Sequence, residues 1–357
     1  MRIAVLGGGN GSHAAAADLT EQGHEVRFWR RDAAAFAPVL ASGRLTLKDF
    51  KGRREVKLAL ATSQLAEAVK GAELLVLPAP AFAQADIAAQ LASCVEDGQV
   101  VFLPPGTFGS YVMARVMRDA GCRAQVSFAE TGTLPYLTRL HGPAEVAITI
   151  RATRLPTGVF PSKDSLRALK MVAGAYPSVE PIEDALSGAL MNAGPIIHPP
   201  LILMNAGPLQ HFDKWDIHNE GTQVAIRRVT DRLDGERMAV REALGYGGYH
   251  FPLRDHYESD RWMYGNAHDK LVDSGDWREK IDLTTHRYMR EDVEYGLAFL
   301  VSVARWAGVA VPVAEGLLAM GGAVCGADFM RGPRTLQALG LDTLDAAGMQ
   351  RLLKEGL

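Results

Sequence analysis

The sequence predicts an α/β fold in which an N-terminal domain with a doubly wound sheet is followed by an all-α C-terminal domain. Two observations support this prediction. Short apolar runs alternate with helical patterns up to about residue 180, and beyond it the strand signal fades while long helical stretches continue. Strands that alternate with helices form a mainly parallel sheet that is buried on both faces. We therefore assign residues 1–180 to the sheet domain and residues 181–357 to the helical domain.

The strands of the first domain are five short runs rich in Val, Leu, Ile and Phe, as expected for buried strands. They cover residues 2–6, 24–29, 73–77, 99–103 and 125–128. Helical patterns separate them at residues 11–22, 81–95 and 109–120. Alternating apolar and polar residues at 44–60 predict an inserted antiparallel hairpin, and residues 145–151 predict one further strand.

The second domain is predicted to be helical at residues 184–193, 223–243 and 290–306. Residues 245–277 are rich in Gly, Tyr, His, Asp and Trp and show no clear period. This composition is typical of loops and short helices. We expect this segment to cover a cleft.

Composition narrows the class of protein. The 357 residues include 38 Lys plus Arg and 41 Asp plus Glu, which gives a net charge of -3, and 48% are hydrophobic. This is the balance of a folded protein rather than a disordered one. The chain lacks the basic run that nucleic acid or an anionic membrane attracts, and its apolar stretches are too short to span a bilayer. We therefore expect small-molecule partners, no nucleic acid and no membrane.

The cysteines and the N-terminus bear on the compartment. Cys94, Cys122 and Cys325 are far apart and outside any Cys-x-x-Cys spacing. This favours free thiols in a cytoplasmic protein and argues against a metal site. The first strand leads directly into glycines without the apolar stretch of a secretory signal, so we expect the mature protein to begin at or near Met1.

The sequence G-G-G-N-G-S-H links the first predicted strand to the first helix. It has the spacing of a dinucleotide-binding loop, in which Gly7 makes the tight turn and Gly9 lets backbone N–H groups reach a pyrophosphate. Ser12 takes the third position, and Asn10 and Gly11 complete the loop. A plain structural turn is the alternative, but the order of strand, glycines and helix favours a dinucleotide.

The residues after the second strand bear on the choice between NAD and NADP. Trp29 is followed by Arg30, Arg31 and Asp32. An acid at this place binds the ribose 2'-OH of NAD, whereas a cation binds the 2'-phosphate of NADP. Two arginines, one to pair with the phosphate and one to stack on adenine, favour NADP. The alternative is NAD, with both arginines in solvent and Asp32 turned to the ribose.

Two proline-containing turns follow predicted strands. Pro78 and Pro80 come after the strand at 73–77, and Pro-Pro-Gly-Thr at 104–107 comes after the strand at 99–103. Both turns lie at the carboxyl edge of the sheet, where open α/β folds bind ligands. We expect Pro78 and Pro80 to border the cofactor, although such turns also simply end strands.

The helical half contains a candidate acid and base. The sequence N-A-G-P-I-I-H-P-P places His198 in a helix-breaking, otherwise apolar segment. Histidine suits proton transfer near neutral pH, but beside two prolines it is more often structural. In T-H-R-Y-M-R-E-D-V, Asp292 could orient an imidazole and Arg287 could clamp a substrate carboxylate. The ordinary alternative makes Glu291 and Asp292 first-turn acids of a helix.

Taken together, the motifs resemble those of the opine dehydrogenase family, which includes octopine and nopaline dehydrogenases and the bacterial N-(1-carboxyethyl)-norvaline type. The resemblance runs along nearly the whole chain. It is carried by G-G-G-N-G-S-H-A at 7–14, N-A-G-P-I-I-H-P at 192–199, N-E-G-T at 219–222, D-G-E-R at 234–237, H-R-Y-M-R-E-D-V at 286–293 and R-T-L-Q-A-L-G-L at 334–341.

The resemblance implies a Rossmann-like domain and a helical domain with the active site between them. It also implies a proton relay of His198 and Asp292, with Asn192 and Arg287 in the substrate site. Two departures stand out. The norvaline type carries an Asp where this chain has Arg30, which supports NADP. Residues 246–277 match no pattern that would indicate the amino-acid substrate.

The resemblance implies an enzyme that condenses an amino acid with a 2-oxo acid such as pyruvate, using NADPH or alternatively NADH. One alternative is a reductase of the glycerol-3-phosphate or ketopantoate type, but these families usually use a lysine, and the first lysine after His198 is Lys214. A non-catalytic nicotinamide sensor and a dimerising scaffold are also compatible with the glycine loop. The helical half offers a surface for a homodimer.

Overall fold

The computed structural model describes residues 1–357. The chain divides into two compact units. The first contains Met1–Ala189 and Arg351–Leu357, and the second contains Leu190–Gln350. The second unit thus begins later than residue 181, the boundary expected from the sequence, and the C-terminal residues belong to the first unit.

Twelve strands lie in the first unit. They are β1 (Arg2–Leu6), β2 (Glu25–Trp29), β3 (Arg44–Asp49), β4 (Gly52–Lys57), β5 (Leu60–Thr62), β6 (Leu74–Val76), β7 (Val100–Leu103), β8 (Ser127–Thr131), β9 (Tyr136–Gly142), β10 (Glu145–Arg151), β11 (Leu155–Phe160) and β12 (Val179–Pro181). Eight of them form the main sheet, in the order β12-β11-β8-β7-β6-β1-β2-β5. The sheet is parallel from β8 to β5, but β11 pairs antiparallel with β8 and makes it mixed.

The five predicted apolar runs all form strands of this sheet. Their side chains make the core of the first unit, where Ile3, Val5, Leu74, Val100 and Phe102 are fully buried. Burying a large apolar side chain contributes about 1.5–3 kcal/mol to stability. Hydrophobic burial therefore explains why these runs predict strands correctly.

Seven α-helices accompany the strands. They are α1 (Asn10–Glu21), α2 (Ala33–Ser42), α3 (Leu65–Val69), α4 (Gln84–Leu91), α5 (Gly109–Asp119), α6 (Ser165–Ala173) and α7 (Ala185–Ala189). The predictions of α1, α4 and α5 are confirmed. The helix predicted at residues 184–193 is shorter in the structure and ends at Ala189.

The predicted hairpin is present as β3 and β4, with Leu45 opposite Val56. The two strands join β10 and β9 in a second sheet of order β4-β3-β10-β9. Strand β9 was not predicted from the sequence. Pairing with β10 makes this segment a strand.

The second unit is helical, as predicted, apart from the short strands β13 (Trp215–Asp216) and β14 (Arg278–Glu279). Its α-helices are α8 (Gly194–Met204), α9 (Ala206–His211), α10 (Val224–Ala243), α11 (Asp255–Glu258), α12 (His268–Ser274), α13 (Ala298–Trp306) and α14 (Pro312–Cys325). A π-helix, Tyr288–Leu297, runs directly into α13, and α15 (Ala346–Glu355) is the last helix of the chain. Between α10 and β14 the chain forms loops and two short helices, as expected.

Candidate active site

The glycine loop joins β1 to α1. Gly7 has a φ of 130°, a value that favours glycine, and Gly9 is the N-cap of α1, where no side chain caps the helix. A Cβ on Gly9 would meet no atom within 4 Å. The N-cap of α1 therefore borders open space, and the first N–H groups of the helix have no partner within it. This is the arrangement that binds a phosphate at a helix N-terminus.

The other small residues of the loop allow close packing. A Cβ on Gly7 would lie 2.6 Å from Ser12 Oγ, and a Cβ on Gly11 would lie 3.1 Å from Pro78 Cβ. Gly11 therefore lets the turn after β6 approach α1. Pro80 in the same turn is the N-cap of a short 3-10 helix. The structure thus brings Pro78 to the glycine loop.

Asn10 and Arg31 have partners within the first unit that the sequence did not indicate. The side-chain oxygen of Asn10 accepts a hydrogen bond from Leu140 N at 2.9 Å and fastens the loop to β9. Arg31 forms an ion pair with Asp86, and both side chains are exposed. An exposed pair of this kind contributes at most about 1 kcal/mol.

Arg30 is the cation beside the glycine loop. A Cβ on Gly8 would lie 2.5 Å from Arg30 Nε, and Arg30 Nη1 donates to Ala35 O at 3.3 Å. Asp32 accepts a hydrogen bond from Ala35 N at 3.0 Å and caps α2. The positive charge therefore lies against the loop, whereas the carboxylate after β2 is engaged as a helix cap.

His198 lies inside α8, so the prediction of a helix-breaking segment was wrong. Pro195 occupies the first turn, where the missing N–H is tolerated, and burial of the apolar side chains of α8 compensates for the two later prolines. His198 Nδ1–H donates to Asp292 Oδ2 at 2.7 Å. The ring stacks on Tyr288, with centroids 3.7 Å apart and planes at 17°. The hydrogen bond at Nδ1 and the stacking on one face of the ring together fix the orientation of the imidazole.

Asp292 is buried within the π-helix. A Cβ on Gly194 would overlap its carboxylate, so the close approach of α8 requires glycine there. Burial raises the pKa of Asp292 to about 7, and the positive charge of Arg287 opposes this rise. A carboxyl with this pKa exchanges a proton near neutral pH.

Arg287 and Asn192 lie next to these elements. Arg287 immediately precedes the π-helix and is exposed, with its Cζ 5.5 Å from the centre of the Tyr288 ring. Asn192 is buried, and its Oδ1 accepts a hydrogen bond from Gly194 N at 3.1 Å. Arg287 thus places a positive charge at the start of the π-helix, whereas Asn192 supports the start of α8.

Tyr288 and Gly194 belong to this arrangement but were not predicted from the sequence. Both lie within the motifs that carry the family resemblance, yet nothing local assigns them a contact. Tyr288 acts on His198 and Gly194 acts on Asp292 across large distances in the sequence. Both residues could have been identified only by assuming that the motif at 192–199 packs against the motif at 286–293.

No group of three or more His, Cys, Asp or Glu side chains is arranged to hold a metal ion. None of the helices combines the length and hydrophobicity that a bilayer crossing requires.

Two family models match the chain. The model for the α-helical domain of NAD/NADP octopine/nopaline dehydrogenase matches residues 181–325, and the model for the N-terminus of NAD-dependent glycerol-3-phosphate dehydrogenase matches residues 2–122. The second match concerns the sheet domain alone, so it does not favour the glycerol-3-phosphate alternative. An opine dehydrogenase from Arthrobacter sp. (strain 1C) is 28% identical over 355 residues, which is 97% of each chain.

Solved structures share the fold. Octopine dehydrogenase, solved with NADH and L-arginine, has a TM-score of 0.73 at 22% identity, with 97% of each chain covered. Yersinopine dehydrogenase with NADP⁺ bound has a TM-score of 0.69 at 16% identity, covering 100% of this chain and 98% of that one. The helical-domain match and the relative that covers 97% of both chains make this chain similar to opine dehydrogenases along nearly its whole length, and it is an NAD(P)-dependent oxidoreductase.

Proposed function

We propose that this enzyme joins the amine of an amino acid to the carbonyl carbon of a 2-oxo acid such as pyruvate, and reduces the imine to a secondary amine dicarboxylate. The observation that carries the proposal is the 2.7 Å hydrogen bond between His198 and Asp292 in a helical unit of the octopine/nopaline type. Relatives support it, since octopine dehydrogenase has been solved with L-arginine and with pyruvate.

The first unit fits a nicotinamide dinucleotide. The uncapped N-terminus of α1 would hold the pyrophosphate, with Gly9 leaving room for it. Arg30 lies beside this loop and would pair with a 2'-phosphate, while Asp32 is engaged in capping α2. We therefore propose NADP as the preferred cofactor, with NAD as the alternative. When bound, the reduced nicotinamide supplies the hydride for the imine carbon.

His198 would move the proton. Its Nδ1 is bound to Asp292, so Nε2 would be the nitrogen that acts on the substrate. Attack of the amine on the carbonyl gives a carbinolamine, and a proton from Nε2 lets its hydroxyl leave as water. The iminium carbon then accepts hydride, so that one proton is consumed and one water released per product. Asp292 would stabilise the charged imidazolium and fix its tautomer.

Arg287 and Asn192 would serve the substrates. The guanidinium of Arg287 can form two parallel hydrogen bonds with a carboxylate, which would orient the 2-oxo acid or the amino acid. Asn192 would keep the first residues of α8, and through them His198, in place, besides the substrate contact that the family resemblance implies. Orientation of two substrates and a cofactor carries much of the acceleration in such a reaction.

We also propose a cytoplasmic homodimer. The three cysteines are unpaired, which suits a reducing compartment. Met320 and Val324 expose apolar side chains on α14, and these would contribute to a dimer surface in the helical unit. Size-exclusion chromatography with light scattering measures the mass directly. A mass of 38.6 kDa at working concentrations would reject the dimer.

A substrate panel tests the function. Oxidation of NADPH and NADH is followed by absorbance with every combination of amino acids and 2-oxo acids. We expect oxidation that requires both an amino acid and a 2-oxo acid. Oxidation by an oxo compound without any amine would favour a reductase of the ketopantoate or glycerol-3-phosphate type. No amine-dependent oxidation over a broad panel would favour a nicotinamide sensor or a scaffold.

The cofactor preference has its own test. Arg30→Asp should lower kcat/KM for NADPH by about 10- to 100-fold, because a charge-assisted phosphate contact is lost, and should leave NADH little affected. Arg44→Ala is the control, since Arg44 is exposed and pairs only with exposed Glu55. A wild-type enzyme with higher kcat/KM for NADH than for NADPH would refute the argument from the arginines.

A further inference from the structure

The turn after β7 holds two residues in a left-handed conformation that favours glycine. Thr107 has a φ of 54° and Phe108 a φ of 60°, and both are buried. Each such residue costs about 1–3 kcal/mol, so surrounding contacts must maintain this shape. The turn lies at the carboxyl end of β7, the edge at which open α/β sheets bind ligands.

Glu130 supplies the contacts that maintain the turn. It lies near the end of β8, the neighbour of β7, and is fully buried. Its Oε2 accepts a hydrogen bond from Phe108 N at 2.8 Å, and its Oε1 accepts one from the hydroxyl of Ser110. Phe108 is the N-cap of α5, so the carboxylate also benefits from the positive end of that helix.

A second buried side chain holds the same turn from α4. Gln84 Nε2 donates to Gly106 O at 2.9 Å. A Cβ on Gly106 would overlap the carboxylate of Glu130, so this residue must be glycine for the acid to reach the turn. Two buried polar side chains and two strained residues are more than a simple chain reversal needs, because ordinary turns avoid such strain.

The turn after β7 is also close enough to the glycine loop for one dinucleotide to contact both. In the main sheet, β6 alone separates β7 from β1. Neighbouring strands lie about 4.8 Å apart, which places the ends of β1 and β7 about 10 Å from each other along one edge. A dinucleotide with its pyrophosphate on α1 can reach across this distance.

We propose that Glu130 is a positioning residue for the cofactor. It holds the backbone of residues 106–108 in the shape that contacts the nicotinamide half of the dinucleotide, while its own carboxylate stays bound to the protein. This inference rests on the nicotinamide site of the proposed function. It gives the second proline-containing turn of the sequence a role that its composition does not reveal.

Glu130→Gln tests the inference. The amide carries no negative charge, so the hydrogen bond from Phe108 N is no longer charge-assisted, and the Ser110 hydroxyl must rotate to accept from the amide nitrogen. The turn is therefore held less firmly. We expect the Kd of NADPH, measured by fluorescence titration without other substrates, to rise about tenfold or more. The KM of NADPH should rise with it, and kcat at saturating NADPH should change little. The control is Glu55→Gln, which removes the same charge from an exposed residue of β4.

Ser110→Ala keeps the test decisive if Glu130→Gln fails to fold. It removes one hydrogen bond to Glu130 and should raise the Kd of NADPH about threefold. Thermal unfolding is recorded for each variant. A lowered Tm with an unchanged Kd and KM for NADPH would mean that Glu130 is merely structural, and would overturn the proposal. Wild-type enzyme that binds NADPH without amine-dependent turnover would instead reject the proposed substrates.

Discussion

The imidazole of His198 takes its orientation from two residues that lie far along the chain. Asp292 binds Nδ1 and Tyr288 covers one face of the ring, so both contacts fix the direction in which the ring points. A neutral or protonated imidazole held in this way needs no reorganisation before it transfers a proton. Proton transfer by His198 should therefore depend on Asp292 and Tyr288 as well as on the imidazole.

His198→Ala should reduce turnover by about 10²- to 10⁴-fold, the contribution of a positioned acid or base. The Kd of NADPH should stay near the wild-type value, because His198 belongs to the helical unit and the glycine loop to the other. Steady-state kinetics and fluorescence titration measure the two quantities. His211→Ala is the control, since His211 is exposed. Full turnover in His198→Ala would remove this residue from the mechanism.

Asp292 should make stability depend on pH. Its pKa is about 7 in the folded protein against an ordinary value of 3.8. Between these values the folded chain keeps a proton that the unfolded chain has lost, so the free energy of unfolding falls as pH rises, by at most about 1.4 kcal/mol per unit. Urea unfolding at several pH values from 5 to 7 should show a smaller fall in Asp292→Asn.

The control for this measurement is Asp260→Asn, because Asp260 is exposed and should leave the pH dependence as it is in the wild type. An equal fall in wild type and in Asp292→Asn would show that burial does not raise the pKa of this carboxyl.

Among the elements, α8 and the π-helix approach each other closely through glycines. A Cβ on Gly194 would overlap Asp292, and a Cβ on Gly296 would overlap Pro195. Irregular π-turns occur often at functional sites because they redirect side chains. Here Asp292 lies within the π-helix and reaches His198 across the contact between the two helices.

Gly194→Ala should therefore disturb the hydrogen bond between His198 and Asp292 while leaving both residues in the chain. The added methyl must displace the carboxylate of Asp292, so we expect kcat to fall about tenfold or more, because small misplacements of catalytic groups are costly. Gly235→Ala is the control: Gly235 lies inside α10 with open space around its Cβ position. That change should leave kcat unaltered and stabilise the protein by about 0.5–1 kcal/mol. Equal kcat in both variants would contradict the packing argument.

For the molecule as a whole, the net charge of -3 says little about ligands. What matters is the local placement of cations. Arg30 lies against the glycine loop and Arg287 lies at the start of the π-helix, each where an anion of the proposed reaction would bind. The first unit contains the sheet and its core, and the second contains the His198 and Asp292 pair.

Cofactor binding should stabilise the molecule. NADPH at a hundredfold excess over its Kd should raise the free energy of unfolding by about 2.7 kcal/mol, since it binds only the folded chain. Differential scanning fluorimetry measures this as a rise in Tm. NADH at the same concentration should raise Tm less, and pyruvate alone should leave it nearly unchanged. An equal rise with both cofactors would argue against a phosphate contact at Arg30.

The amino-acid sequence was sufficient to predict five of the eight strands of the main sheet and the glycine loop. The apolar runs around Val5, Leu75 and Val101 are strands because burial drives their formation wherever the chain places them. The loop at Gly7 and Gly9 follows from local spacing between strand and helix. The residues of the candidate acid and base pair were also identifiable, through motifs rather than through periodicity.

The contacts that the residues of the candidate site make were decided only by the packing of the folded chain. Packing placed His198 in a helix despite three prolines, buried Asp292, paired Arg31 with Asp86, and set Glu130 under the turn after β7. Periodicity and spacing describe neighbours within one element, whereas each of these contacts joins segments far apart in the chain. Such contacts depend on how the elements pack, and packing also sets the burial that raises the pKa of Asp292.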